Sequence, residues 1–240
     1  MLPLLLAVTL ALDPHLLVQR VENLLRSQTS VGEYEMEIHR PRFQRTLRFR
    51  FWDDRREDRS LVVVLAPPKD RGTVFLKIKT DLWMYLPRVR RTVRIPPSMM
   101  MNSWMGSDFT NDDVARSSSI SQDYEPRILE QRGDTVTLEL RPKPDAPVVW
   151  DRIVLEMLLP NLPLVEHFYN ARGEEVRVIT FREVKTLHGR RLPTVMEAVP
   201  LNRPGHKTVL RLVDVRFDVP MQASWFQVSR LEEISTRGGP

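Results

Sequence analysis

From Val31 onward the apolar residues recur every second position, and this period continues, interrupted by turns, almost to the end of the chain. Tyr34, Met36 and Ile38 alternate with Glu33, Glu35, Glu37 and His39, and Leu47, Phe49 and Phe51 alternate with Arg48 and Arg50. A period of two places successive side chains on opposite faces of an extended strand, so these runs read as half-buried antiparallel strands. Further extended runs are expected over 61–66 and 73–79, from 82 up to Pro87, and over 88–95. After a polar stretch they resume over 127–131, 135–141, 148–159, 162–169, 174–186, 191–199 and 207–218, with a short one near 225–228. Pro67-Pro68, Arg132-Gly133-Asp134, Asn170 to Gly173, His188-Gly189 and Pro204-Gly205 supply the turns between them. No 20 to 50-residue period repeats, which argues against a solenoid or propeller. The expected fold is mainly β: one domain of about eleven antiparallel strands. A sheet that size has to curl or fold on itself.

The exception to the β pattern comes first. Asp13-Pro14 is a helix N-cap followed by proline in the first turn, and Leu17, Val21, Leu24 and Gln28 follow at helical spacing. Residues 14–28 are therefore expected to form an amphipathic helix whose apolar face covers the sheet. One helix cannot both fill a closed barrel and leave it empty. The economical architecture is a strongly curved, incompletely closed β-barrel, with the helix and a Met-rich loop lying across an apolar cavity.

That loop belongs to the stretch from Leu82 to Phe109. Trp83 and Tyr85 alternate in an extended run that continues past Pro87, and Pro96-Pro97 then ends regular pairing. Met99, Met100, Met101, Trp104 and Met105 follow, holding four of the chain's ten methionines. Unbranched thioethers suit a surface that accepts variable apolar partners, and they also suit the plugged end of a core. Under the first reading Met99, Met101, Trp104, Met105 and Phe109 wall an acyl site, Trp83 and Tyr85 line its strand side, and Leu17 and Leu24 close it from the helix. Arg88, Arg90 and Arg94 fall on one face of an extended run. They read either as a strip that meets lipid headgroups or a partner, or as a solvated strand face.

Catalytic and metal chemistry find little support. The five histidines are scattered, and no HExxH, GxSxG, GxGxxG or GxxxxGK[ST] pattern occurs. Asp108, Asn111, Asp112 and Asp113 lack EF-hand spacing, and Thr110 with Asp113 three residues later reads as a helix cap. The expectation is no enzyme activity, no metal and no cofactor. The chain has no cysteine, which removes thiol catalysis, thiolate metal sites and an acyl anchor on cysteine. Its net charge is +5, but 31 acidic residues are interspersed among the basic ones, so nothing resembles a nucleic-acid-binding polycation.

Residues 1–11, MLPLLLAVTLA, are apolar and end in small residues, as a secretory signal does. They are too short for a membrane span, which needs about 20 apolar residues. Cleavage after Ala11 would leave residues 12–240 as a soluble periplasmic protein without a lipid anchor.

Four segments together carry a resemblance: GTVFLKIKTDLWMYLPRVRRTVRI, WMGSDFTNDD, WDRIVLEMLLPNLPLVEHFYNARGEEVRVITF and GHKTVLRLVDVRFDVPMQASWF. With W-x-Y-L-P at Trp83 to Pro87 and G-S-D-F at Gly106 to Phe109 as its most specific parts, the chain from Asp13 to about Glu232 resembles the outer-membrane lipoprotein-sorting protein family. This is the LolA-like branch of the periplasmic lipoprotein carrier superfamily. The resemblance implies an open β-barrel with a helical lid and a cavity for the acyl chains of lipoprotein or other lipid. It also implies an inner-membrane transporter as possible partner, transient contact with a membrane surface and no nucleic acid. The same fold serves envelope-stress sensors that bind mislocalised lipoprotein or glycolipid, and the residues do not separate sensing from carrying.

Overall fold

The computed structural model describes residues 12–115, 120–146 and 148–240. The expected leader over residues 1–11 lies outside the described residues. Thirteen antiparallel strands form one sheet. From the middle outward, β1 (Thr29–Arg40), β2 (Phe43–Asp54), β3 (Arg59–Ala66), β4 (Val74–Ile78), β5 (Asp81–Leu86) and β6 (Arg91–Ile95) run up and down to one end. The chain then crosses to the opposite end, where β7 begins. It returns strand by strand through β7 (Tyr124–Arg132), β8 (Thr135–Pro142), β9 (Arg152–Leu158), β10 (Leu162–Tyr169), β11 (Glu175–Leu187), β12 (Arg190–Pro200) and β13 (Lys207–Phe217), and β13 pairs with β1. Among the described residues β6 and β7 do not pair, so the sheet curls without closing. Residues 96–115 and 120–123 lie across that opening and include two short helices, α2 (Asn111–Ala115) and α3 (Ile120–Asp123).

The strand number exceeds the expected eleven, and the two extended runs read on either side of Pro87 are the separate strands β5 and β6. Arg90 N donates to Pro87 O, Arg90 has φ 47°, and this turn folds β6 back on β5. The segment near 225–228 is not a strand. It forms a 3-10 turn over Ala223–Trp225 and leads into a helix, α4 (Leu231–Arg237), that the sequence reading did not anticipate. Seven residues are too few for helical periodicity to stand out, and only Leu231 and Ile234 mark its apolar side.

Helix α1 (Pro14–Leu25) starts as expected, with the Asp13 carboxylate accepting from the backbone N–H groups of His15 and Leu16 at 2.9 and 3.3 Å. It ends three residues early. Ser27 adopts φ 60°, a left-handed conformation that terminates the helix and aims the chain into β1. Leu17, Val18, Val21 and Leu24 are buried, each worth about 1.5–3 kcal/mol of burial, which fixes α1 across the interior of the curl.

Two cores result. The large one lies inside the curl, where Met36, Leu47, Phe49, Val62, Phe75 and Leu82 from one half meet Leu138, Leu155, Phe168, Ile179 and Leu210 from the other. The second lies on the outer face of β2 to β5, where Leu61, Val63, Val74, Leu76 and Tyr85 pack under Phe226, Leu231 and Ile234. Strand β3 shows the division residue by residue, since Val62 and Val64 point inward while Leu61 and Val63 point outward.

Candidate ligand cavity inside the curl

The interior is not filled. A cavity of about 340 Å³ lies between the two halves of the sheet, beneath the end of α1 and the crossing segment. Its first wall is aromatic: Tyr34 on β1 stacks obliquely between Phe49 and Phe51 of β2, with ring centroids 5.6 and 5.3 Å away. The close approach depends on Gly32, where a Cβ would stand 2.6 Å from the Phe51 ring. The opposite wall consists of Ile153, Phe168, Ile179 and Leu210, with Trp150 against Phe168 at 5.2 Å. Phe109, Val114 and Ile120 of the crossing segment close the top. Such a pocket, mostly apolar with a few polar groups, is the usual form of a site for an apolar ligand.

The polar groups are specific. Arg177 on β11 is 3% exposed and forks onto Asp113, with Nη1 and Nη2 donating to the two carboxylate oxygens at 2.5 and 2.9 Å. The same guanidinium lies over the rings of Phe168 and Trp150, 4.1 and 4.6 Å from their centroids. Burial alone would raise Asp113, but the Arg177 charge and hydrogen bonds, with those from Thr110, hold its carboxyl below the usual range. Thr110 and Asp113 also cap α2 reciprocally: Thr110 N donates to Asp113 Oδ2 and Asp113 N donates to Thr110 Oγ1. The cap read from sequence is therefore present, and its acid has a second task in anchoring the crossing segment to β11. Asp108 accepts from Arg40 Nη1 and Thr208 Oγ1, which ties the same segment to β1 and β13.

At the other end Arg26 Nε and Nη2 donate to Asp53 Oδ2 at 2.9 and 2.6 Å. The Tyr34 phenol is pushed up to about 12 by burial, with Asp53 adding to the shift and Arg26 opposing it. Glu166, on β10 beside Phe168, is pushed up to about 7, chiefly by burial. These side chains escaped the sequence reading, yet a signal existed. Glu166 alternates with Phe168, and Arg177 with Ile179 and Phe181, so each charge occupies an inward position of an otherwise apolar stripe.

The residues singled out from sequence are dispersed. Phe109 lines the cavity. Trp104 is 0% exposed and stands behind the wall, its ring 5.1 Å from Phe49 and 5.3 Å from Phe75. Met105 packs half-buried against the same core, while Met99 and Met101 are exposed on the crossing segment. Trp83 and Tyr85 belong to the outer core under α4, on the face away from the cavity. Leu17 is buried in the main core, and Leu24 packs with Leu162 and Leu192. It is Leu25 of α1 that reaches the cavity. Arg88, Arg90 and Arg94 are exposed but do not form one strip. Arg88 and Arg90 lie in the turn before β6, Arg90 pairs with Glu232 at 2.5 Å and Arg94 pairs with Asp81.

A family model described as "Uncharacterized protein" matches residues 56–233. The chain belongs to that family. A DUF1329 family protein from Desulfovibrio piger superposes with a TM-score of 0.82 at 25% identity, over 92% of this chain and 100% of that one. A putative outer membrane lipoprotein-sorting protein domain from Vibrio parahaemolyticus gives 0.77 at 22% identity, over 90% and 97% of the two chains. A LolA superfamily protein from Nitrosomonas europaea gives 0.78 at 19% identity, over 91% and 99%. The fold is thus LolA-like, an incomplete barrel with helices across its opening. A search of curated proteins finds no match to this chain.

Proposed function

We propose that this protein is a carrier that holds an acyl chain of a lipoprotein or other lipid inside the curl while it crosses the periplasm toward the outer membrane. The observation that carries the reading is the cavity itself: an apolar space between two aromatic-rich walls, in a barrel left open between β6 and β7. Each methylene removed from water contributes about 0.8 kcal/mol, so a chain of roughly sixteen carbons represents on the order of 10 kcal/mol of opposition to release into water. A shielded cavity offsets that cost, and the task needs no catalysis. The names of the Vibrio and Nitrosomonas structures, one a lipoprotein-sorting domain and one of the LolA superfamily, agree with it.

The apolar residues 1–11 support export, and the exposed turn with Arg88 and Val89 offers a basic and apolar tip for a membrane surface or an inner-membrane transporter. Among the described residues no helix is long and apolar enough to cross a membrane. The test is binding of a fluorescent fatty-acyl probe to the chain from Leu12 onward, and its displacement by a diacylated lipopeptide. Saturable binding with displacement is the expected result. A protein that leaves the probe's emission unchanged at every concentration is not this carrier.

A further inference from the structure

The cavity is apolar but not neutral. Among the described residues five carboxylates line it, Asp53, Asp112, Asp113, Asp123 and Glu166, against one guanidinium, Arg26. Arg26 is engaged by Asp53, and the cation behind the wall, Arg177, is engaged by Asp113. Glu166 differs from the rest. It is 8% exposed, it lines the cavity, and its side chain makes no hydrogen bond or ion pair with any described residue. Its cross-strand neighbours are Leu155 on β9 and Ile179 on β11, both apolar. A buried carboxylate without a donor is costly, and the group is relieved by taking up a proton or by meeting a donor brought into the cavity. The buried donors around the cavity that lack an acceptor among the described residues, Trp104 Nε1, Trp150 Nε1 and Arg177 Nε, are closed off from solvent, so they offer nothing to an incoming anion.

We propose that the cavity selects acyl amphiphiles whose polar part donates a hydrogen bond to Glu166, an amine, amide or hydroxyl head, and disfavours a free fatty acid. This rests on the carrier reading above and adds the class of head group. An ammonium or hydroxyl head satisfies the lone acid. A fatty-acid carboxylate placed there sets two like charges in a low-dielectric space, and one of them has to be protonated before both fit. The charged groups that act on Glu166 are Arg177 from β11, Asp113 from the crossing segment and Glu22 from α1, one cation against two acids. Because burial raises Glu166 to about 7, the acid is neutral in mildly acidic solution and charged above neutrality. The discrimination therefore grows as pH rises.

The experiment is displacement of one fluorescent acyl probe by hexadecylamine, monopalmitoylglycerol and palmitate, at about pH 8 and about pH 5.5. With the native chain at the higher pH, the amine and the glyceride should compete at concentrations about tenfold lower than palmitate, and the gap should shrink to about threefold or less at the lower pH. Glu166→Leu and Glu166→Gln should each lose the gap at the higher pH, the ranking of the three competitors being compared within each variant against its own probe affinity. Probe binding with an unchanged ranking in both variants overturns the head-group inference and leaves the carrier reading standing. Failure of the native chain to bind the probe at all overturns both.

Discussion

The two faces of β2 to β5 carry the same kinds of residue and do opposite things with them. On the outer face Leu61, Val63, Val74, Leu76 and Tyr85 meet Leu231 and Ile234 of a seven-residue helix, and Leu61, Val74, Leu76, Leu231 and Ile234 are all 0% exposed. On the inner face α1 and the described residues between β6 and β7 bridge a wider gap, and about 340 Å³ stays open among rings and carboxylates. A closed face converts apolar surface into stability. An open face keeps some of that surface for a ligand. The contrast predicts that substitutions on the outer face act on folding alone, while those around the cavity act on binding, except where a buried charge is left uncompensated.

The largest expected effect tests that exception. Arg177→Met leaves the partly buried Asp113 without its buried cation, and loss of about 3–5 kcal/mol in chemical denaturation is expected. Adding Asp113→Asn should recover much of it, because the stranded charge goes too. No recovery in the double variant would mean that Arg177 acts through its packing on Phe168 and Trp150 instead. Next comes Leu231→Ala, which opens a hole in the outer core and should cost about 2–5 kcal/mol. Acyl-probe affinity measured under folding conditions should not move. A parallel fall in affinity would show that the two faces are coupled.

Glu166 sharpens the comparison through pH. Its folded pKa, about 7, exceeds the unfolded value of 4.5, so folding favours the protonated form. That contribution is fully present below the unfolded value, declines as pH climbs through the folded one, and is absent above it. The whole swing is at most about 3 kcal/mol. Melting temperature followed across this window should fall for the native chain and stay comparatively flat for Glu166→Gln. Identical profiles would place Glu166 in contact with water. Asp113 has the opposite sign, since its depressed pKa contributes stability that is lost only as pH drops through the acid range. The smallest expected change in stability belongs to Met196→Trp, which pushes bulk from a half-buried lining position into existing space. A shift under about 1.5 kcal/mol is expected, with loss of most probe binding.

The legibility of the molecule follows the same division of faces. Period-two alternation gave the strand-rich fold, Asp13-Pro14 the start of α1, and Thr110 with Asp113 the cap of α2. Alternation says which residues share a face but not which face looks inward. In β3 to β5 both faces are buried, so Trp83 and Tyr85 could be paired from sequence and yet be set on the wrong side of the sheet. The methionine-rich segment misleads for a related reason. It spans the gap between β6 and β7, so Met100 and Met105 turn in while Met99 and Met101 face out, a split that no composition shows. Glu166 and Arg177 were visible as charges in apolar stripes, but an inward charge becomes meaningful only when its neighbours across the strands are known. Those neighbours are Leu155 and Ile179 for Glu166, and Phe168 for Arg177.

The central claim is that the space inside the curl holds an acyl chain, and native mass spectrometry of the exported protein, isolated gently from its own cells, tests it most directly. The native chain and Leu231→Ala should each carry an added mass that fragments to fatty-acyl groups, and Met196→Trp should appear without it. An unliganded native chain, or the same lipid retained in full by Met196→Trp, would contradict the account.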